Sequence, residues 1–456
     1  MTAEADLDGV IDSSRLGRFQ GLVIALCALM VMIDGFDTQV IGMVAPSIAA
    51  AWNVPSAAFG PVFGLGLFGG LLGVVILGSA SDRFGRKPVL VSAILLFAGV
   101  SLLTPVTTSL TELSAVRFVA GFGMGGALPG LIAITSEYSP KAVRANVTAL
   151  MYCGFPLGSV LAGVVSAQMV PRSGWQSVFY VGSLVPLGLL PVFAWIVPES
   201  LRFLVARGDH GQVAKILARM SSGVSWNGKV AQARHGQRSR VGRLFTDGRA
   251  MGTASLWAVL FLSLLLTVFL VSWLPLVARA AGIDIRSSVL AVSALNLGGI
   301  VGCYVIGRLC NRFGSVKPIA LGYAFGAVGV ALIGWVGHSG LALLVAALLA
   351  GMLSVGAQMC AIGLSATFYD TSLRATGVGW ALGSGRAGAV VGPIIGGVLI
   401  AAGLSTPALF LVAGCVSLAA GLAVFSMGFA TRRVAPDAVE GVAGESRAAP
   451  PGRVSP

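Results

Sequence analysis

Long apolar runs, separated by short polar breaks, set the pattern of this chain. Twelve runs reach the length of about 20 residues that a helix needs to cross a hydrocarbon core of about 30 Å. They fall at roughly 20–46, 58–80, 88–106, 111–136, 145–168, 175–197, 255–279, 288–309, 316–336, 341–367, 375–402 and 405–429. The pattern predicts an all-α membrane protein with twelve transmembrane helices. The longest break, residues 198–254, is polar and basic and divides the runs six and six. The expected order is a cytoplasmic N-terminus (1–19), a six-helix bundle (20–197), a cytoplasmic central loop (198–254), a second six-helix bundle (255–429) and a tail (430–456). The tail is rich in Pro, Gly and Ala and is expected to be disordered.

Composition agrees with this reading and removes its competitors. Of 456 residues, 56% are hydrophobic and only 10% charged, against about 25% charged in soluble domains. The 63 glycines lie mostly inside apolar runs, where small residues let membrane helices approach closely, so they do not signal disorder. A formal charge of +13 raises the question of nucleic acid, but 25 of the 30 Lys and Arg fall on the termini, the central segment and alternate breaks. The opposite breaks hold only Arg172, Arg279 and Arg286. That asymmetry is the positive-inside signature, which sets both termini in the cytoplasm and leaves no case for nucleic acid as a partner. The first seventeen residues carry acidic groups rather than the basic start of a cleaved leader, so the first helix is expected to be retained. All six cysteines sit in or beside apolar runs without metal-ligand spacing and read as small packing residues. His210, His235 and His338 lie in the breaks, which excludes a membrane-embedded histidine relay.

The two halves are related by an internal repeat. Gly78 to Pro88, containing Asp82-Arg83-Phe84-Gly85-Arg86-Lys87, returns as Gly307 to Pro318 with Asn311-Arg312-Phe313-Gly314, the prolines 230 residues apart. Pro140 to Arg144 returns as Asp370 to Arg374 at the same offset. Two pseudo-symmetric six-helix halves with a substrate site between them are an architecture of secondary transporters.

The Gly78 to Lys87 loop, Arg117-Phe118-Val119-Ala120-Gly121-Phe122-Gly123 and Pro198-Glu199-Ser200-Leu201-Arg202 resemble the major facilitator superfamily. A narrower resemblance, to its aromatic acid:proton symporter family, rests on Asp34-Gly35-Phe36-Asp37-Thr38, Met151-Tyr152-Cys153-Gly154, Trp273-Leu274-Pro275, Arg374-Ala375-Thr376-Gly377 and Gly385-Arg386-Ala387-Gly388. The resemblance implies proton-driven import of a carboxylated aromatic such as benzoate, a hydroxybenzoate or a hydroxyphenylpropionate. It also implies alternating access in a bacterial inner membrane, by a monomer that uses no cofactor beyond the proton gradient. The second copy of the loop departs from the pattern at Asn311, Ser315 and Val316, so its latch is expected to be the weaker.

Charges inside a membrane are costly and mark function by default. Asp34 and Asp37, spaced i and i+3, share one face of the first helix. Counting 1.5 Å per residue brings Asp34 and Arg117 to a similar depth, about 9 Å below the outer surface, while a shift of a few residues makes Asp37 the partner. One aspartate is expected to carry the proton, the alternative being a static ion pair that orients two helices. Arg386, about 16 Å from the cytoplasmic end of its helix, suits a planar grip on a substrate carboxylate. Tyr152 and Asn296 are candidates for stacking on the ring and for hydrogen-bonding a ring hydroxyl, with helix packing the alternative for each. Asp82, Arg83, Arg86 and Lys87 form a charged turn expected to latch the halves at the cytoplasmic mouth, joined by Glu137, Arg144 and Arg374.

No metal site is expected. The sequence shows no Walker loop, nucleophile elbow or zinc ligand set, so neither an ATP-driven pump nor an enzyme is indicated. The main alternative is a proton-coupled exporter. Exporters of the superfamily carry Gly-Pro-x-x-Gly-Gly in the fifth helix, whereas here Gly392-Pro393-Ile394-Ile395-Gly396-Gly397 lies in the eleventh. A receptor that signals through the central loop is the remaining alternative, and that loop holds no recognisable effector domain.

Overall fold

The computed structural model describes residues 4–5, 7–13, 16–220, 225–226, 241–246, 248–336, 339–369 and 373–434. Among these, twelve helical stretches are long and apolar enough to cross a membrane. A short helix, α1 (Leu7–Ser13), precedes α2 (Arg18–Trp52), α3 (Gly60–Phe84), α4 (Arg86–Ser101) and α5 (Leu110–Glu137). The fifth span is a broken pair, α6 (Lys141–Tyr152) and α7 (Gly154–Ser173), and α8 (Gln176–Ile196) closes the first half. After α9 (Leu201–Ala206) and α10 (His210–Arg219), the second half runs α11 (Ala250–Ala280), α12 (Ile285–Phe313) and α13 (Val316–Ile333). Its tenth span is α14 (Gly340–Ala350), a π-helical turn (Gly351–Val355) and α15 (Gly356–Phe368), followed by α16 (Arg374–Ala401) and α17 (Thr406–Val434).

The internal repeat is visible in the packing. Within the first half α2 packs on α7, α3 on α5 and α4 on α8; within the second, α11 packs on α16, α12 on the tenth span and α13 on α17. Small residues bring neighbouring helices close. A Cβ on Gly298 of α12 would lie 2.8 Å from Met352 N, and one on Gly123 of α5 2.8 Å from Ala93 O of α4, so the backbones meet without intervening side chains. The repeated loops fold alike: Gly85 and Gly314 both take positive φ, 100° and 80°. Arg83 stacks 5.5 Å from the Phe84 ring centre just as Arg312 stacks 5.3 Å from Phe313.

Several features depart from expectation. The first span passes through Pro46 to Trp52, six residues beyond the expected end, and stops where Asn53 adopts a left-handed cap, φ 52°. The N-terminus is not simply a leader to the first span. Leu7, Val10 and Ile11, spaced for one helix face, are buried with Leu201, Leu204, Val213 and Leu217, so α1, α9 and α10 form a cap on the basic side. A parallel strand pair, β1 (Glu4–Ala5) with β2 (Ser225–Trp226), ties the N-terminus to the central segment. His210 opens α10 rather than lying in a loop. The expected tail from residue 435 onward, His235 and His338 lie outside the described residues.

The halves are joined by α2 with α11, α3 with α16 and α7 with α12. The contacts fall in the parts of these helices far from the basic side. Ser293 Oγ donates to Val160 O at 3.2 Å, the Phe63 and Trp273 rings are 5.6 Å apart, and a Cβ on Gly42 would lie 2.9 Å from Val271 O.

Candidate functional site

Arg117 enters the first half from α5 and is only 5% exposed. Its Nη1 donates to Asp37 Oδ2 at 3.1 Å, and its Nη2 donates to Ser101 Oγ and Thr104 Oγ1, both at 2.9 Å. The guanidinium also lies 5.1 Å from the Phe179 ring centre. The depth match of Arg117 with Asp34 is thus replaced by a pair with Asp37, because α2 extends past both of its expected ends and the count from Gln20 loses its reference. Ser101, Thr104 and Phe179 were not singled out from sequence; the polar pair at i and i+3 closing the third apolar run was the available signal. Removing one partner of a buried pair leaves the other charge uncompensated, at a cost of about 3–5 kcal/mol. Arg117→Met and Asp37→Leu are each expected to lower the melting temperature of the purified protein sharply, and the double variant to recover most of that loss; equal or additive losses in the double variant would contradict this.

Asp34, one turn nearer the basic side, is half-buried and makes no ion pair among the described residues. Its Oδ1 accepts from Thr38 Oγ1 at 3.3 Å, and the same hydroxyl lies 3.3 Å from Met124 Sδ. Its electrostatic neighbours are Asp37 on its own helix and Arg386 on α16, across the joint between halves. Tyr152, at the break between α6 and α7, feels both Asp34 and Arg386, is 44% exposed, and stacks with Phe155 at 13° between ring planes. Arg386 is half-buried midway along α16, and no described side chain gives it a hydrogen bond or an ion pair. A carboxylate, a phenol and a guanidinium therefore share one central space. Asn296 does not join them: it is 6% exposed and its Nδ2 donates to Val292 O at 2.9 Å, the helix-packing role.

The basic-side residues form a network inside the first half. Arg86 pairs with Glu137, whose other oxygen accepts from Ser200 Oγ at 2.7 Å. Glu199 accepts the backbone N–H groups of Arg86 and Lys87 at 2.8 and 3.1 Å, a carboxylate placed on the N-terminus of α4 where the helix dipole favours it. Arg144 lies 3.7 Å from Asp12 and donates to Ser139 O. Asp82 and Arg83 are exposed, and neither they nor Lys87 form an ion pair among the described residues. Among the described residues no ion pair crosses between the halves. The side chain of Arg374 lies outside the described residues. Glu199 and Ser200 stood in a recognised motif, but their capping role was not legible without the fold.

Comparison with known proteins bears on the whole chain. Residues 27–382 match the Major Facilitator Superfamily. A gallate transporter of Pseudomonas putida is 36% identical over 439 residues, covering 95% of this chain and 97% of that protein. A 4-hydroxybenzoate transporter, PcaK, of Pseudomonas aeruginosa is 35% identical over 87% of this chain and 90% of its own length. Among solved structures, a partially occluded inward-open form of the xylose transporter XylE from E. coli has a TM-score of 0.66 at 19% identity, covering 89% of this chain and 97% of that one.

Proposed function

The chain belongs to the major facilitator superfamily, and on that premise we propose that it imports an aromatic carboxylate together with a proton. It is a membrane transporter and not an enzyme. The cargo class follows from the named relatives, which carry gallate and 4-hydroxybenzoate. The observation that carries the reading is Arg386: a half-buried guanidinium midway along its span, near the Asp34 carboxylate, with neither group in an ion pair among the described residues. A substrate carboxylate supplies the missing partner through two charge-assisted hydrogen bonds. Tyr152 offers a ring face to the substrate ring.

The same geometry supports coupling. Ionised Asp34 competes with a substrate carboxylate for Arg386 and repels it. Protonation of Asp34 removes both effects, so proton and substrate favour each other's binding by the same factor. Asp37 stays committed to Arg117 and holds α2 against α5. Asp34 is thereby assigned as the proton carrier, with Asp37 and Arg117 as its positioning pair.

The transporter works as a monomer in a bacterial inner membrane, with the basic side and both termini in the cytoplasm and the proton gradient as its only energy source. With the halves joined at the far side, the basic side is the proposed mouth, and rocking would bring the Arg86, Glu137 and Arg144 region of the first half against the Arg374 end of α16 in the second. Reconstituted protein with an inward proton gradient is expected to accumulate labelled 4-hydroxybenzoate, gallate or benzoate above equilibrium, and a protonophore to collapse the accumulation. Failure to move any of these acids would overturn the cargo class.

A further inference from the structure

α12 and the tenth span run in the same direction at very close spacing. A Cβ on Gly356, the first residue of α15, would lie 2.9 Å from Cys303 N. Cys360, one turn further along α15, therefore faces the same stretch of α12. Its Sγ lies 3.6 Å from Cys303 O, and its thiol is close enough to those of Cys303 and Cys310 to interact with both. All three cysteines are partly exposed. Three thiols from two helices converge here, which the spacing of the cysteines in the sequence did not reveal. Among the described residues no group of His, Cys, Asp and Glu has the arrangement to hold a metal ion, so the chemistry open to the cluster is that of the thiols themselves.

We propose that Cys303 and Cys360 are a peroxide-sensitive thiol pair whose disulfide arrests transport by tying α15 to α12. In the first step one sulfur attacks a peroxide oxygen: the O–O bond breaks, an S–O bond forms, and water leaves with the thiol proton. In the second step the other sulfur displaces the hydroxyl from the sulfenic acid, an S–S bond forms and a second water leaves. Two thiols lose two electrons and two protons, and hydrogen peroxide is reduced to two waters. The bond falls at a mechanically significant place. The π-helical turn Gly351–Val355 interrupts the regular hydrogen bonding of the tenth span immediately before α15, and in the proposal α15 shifts against α12 at this turn as the basic side opens and closes. The arrest rests on the proposed alternating access; the bond itself does not.

The test uses the full chain in liposomes treated with hydrogen peroxide, with free thiols counted by maleimide mass shift and linked peptides identified by mass spectrometry. The expected result is loss of two of the six thiols, a Cys303–Cys360 linked peptide, a fall in 4-hydroxybenzoate uptake of about tenfold or more, and recovery with dithiothreitol. Cys303→Ser and Cys360→Ser should transport normally and resist peroxide, while Cys310→Ser remains sensitive. Absence of the linked peptide, a link that leaves uptake unchanged, or sensitivity retained in the two serine variants would each overturn the proposal. If no acid is taken up before oxidation, the transport assignment fails, and the linked peptide still decides the thiol chemistry.

Discussion

Asp34→Asn is expected to abolish proton-driven accumulation of the aromatic acid, by about 100-fold or more, the usual cost of losing a positioned proton-transfer group. It should leave exchange of labelled for unlabelled substrate close to wild type. The asparagine mimics the protonated carboxyl: it keeps the volume, can still meet Thr38 Oγ1 as an acceptor, and no longer competes for Arg386. Substrate can then bind and cross in exchange, but no proton is released and the gradient does no work. A static structural role for Asp34 predicts otherwise, since accumulation and exchange would then be retained together or lost together. Asp37→Asn separates the two aspartates, because it strips the buried Arg117 of its counter-charge and is expected to lose both activities along with stability. Parallel flux measurements on the two variants check this directly.

Replacing Arg386 should produce the second large effect, and on affinity. Each charge-assisted hydrogen bond contributes about 1.5–3 kcal/mol, so losing a two-bond grip on the carboxylate in Arg386→Ala raises the half-saturating concentration by roughly 100-fold or more. Arg386→Lys keeps the charge without the planar pair of donors, and a rise of about tenfold is expected. Concentration dependence of initial uptake gives both numbers. An unchanged half-saturating concentration in Arg386→Ala would remove the guanidinium from the substrate site. Because Arg386 makes no ion pair among the described residues, the alanine change breaks none, and the expected loss of stability is small.

The twelve spans, the six-plus-six division and the repeat were legible because membrane crossing imposes a length and an apolar composition that survive in any single sequence. Arg117, Arg386, Asp34 and Asp37 were legible for the complementary reason, that a charge inside such a run stands out. Partnership was less so. The choice of Asp37 over Asp34 for Arg117 depends on where α2 begins and ends, and hydropathy locates a helix end only to within a turn. Asn296 shows the limit for neutral polar residues, since an amide that bonds its own helix carbonyl has the same sequence context as one that faces a cavity. The cap of α1, α9 and α10 was hidden because its apolar stripe, Leu7, Val10 and Ile11, is too short to register beside the membrane runs. Glu199 needed the fold altogether: it caps a helix more than a hundred residues earlier in the chain.

Coupling of carboxylate and proton is tested most directly by following lumen pH in liposomes that contain a pH-sensitive dye. Hydroxybenzoates, gallate and benzoate are added in turn, and the Asp34→Asn protein reports passive entry of the neutral acids. Rapid lumen acidification with wild-type protein, above the Asp34→Asn trace and matched to uptake of the same acid, is the predicted result. Identical traces for the two proteins, or uptake of an acid with no accompanying proton, would contradict proton-coupled import through Asp34.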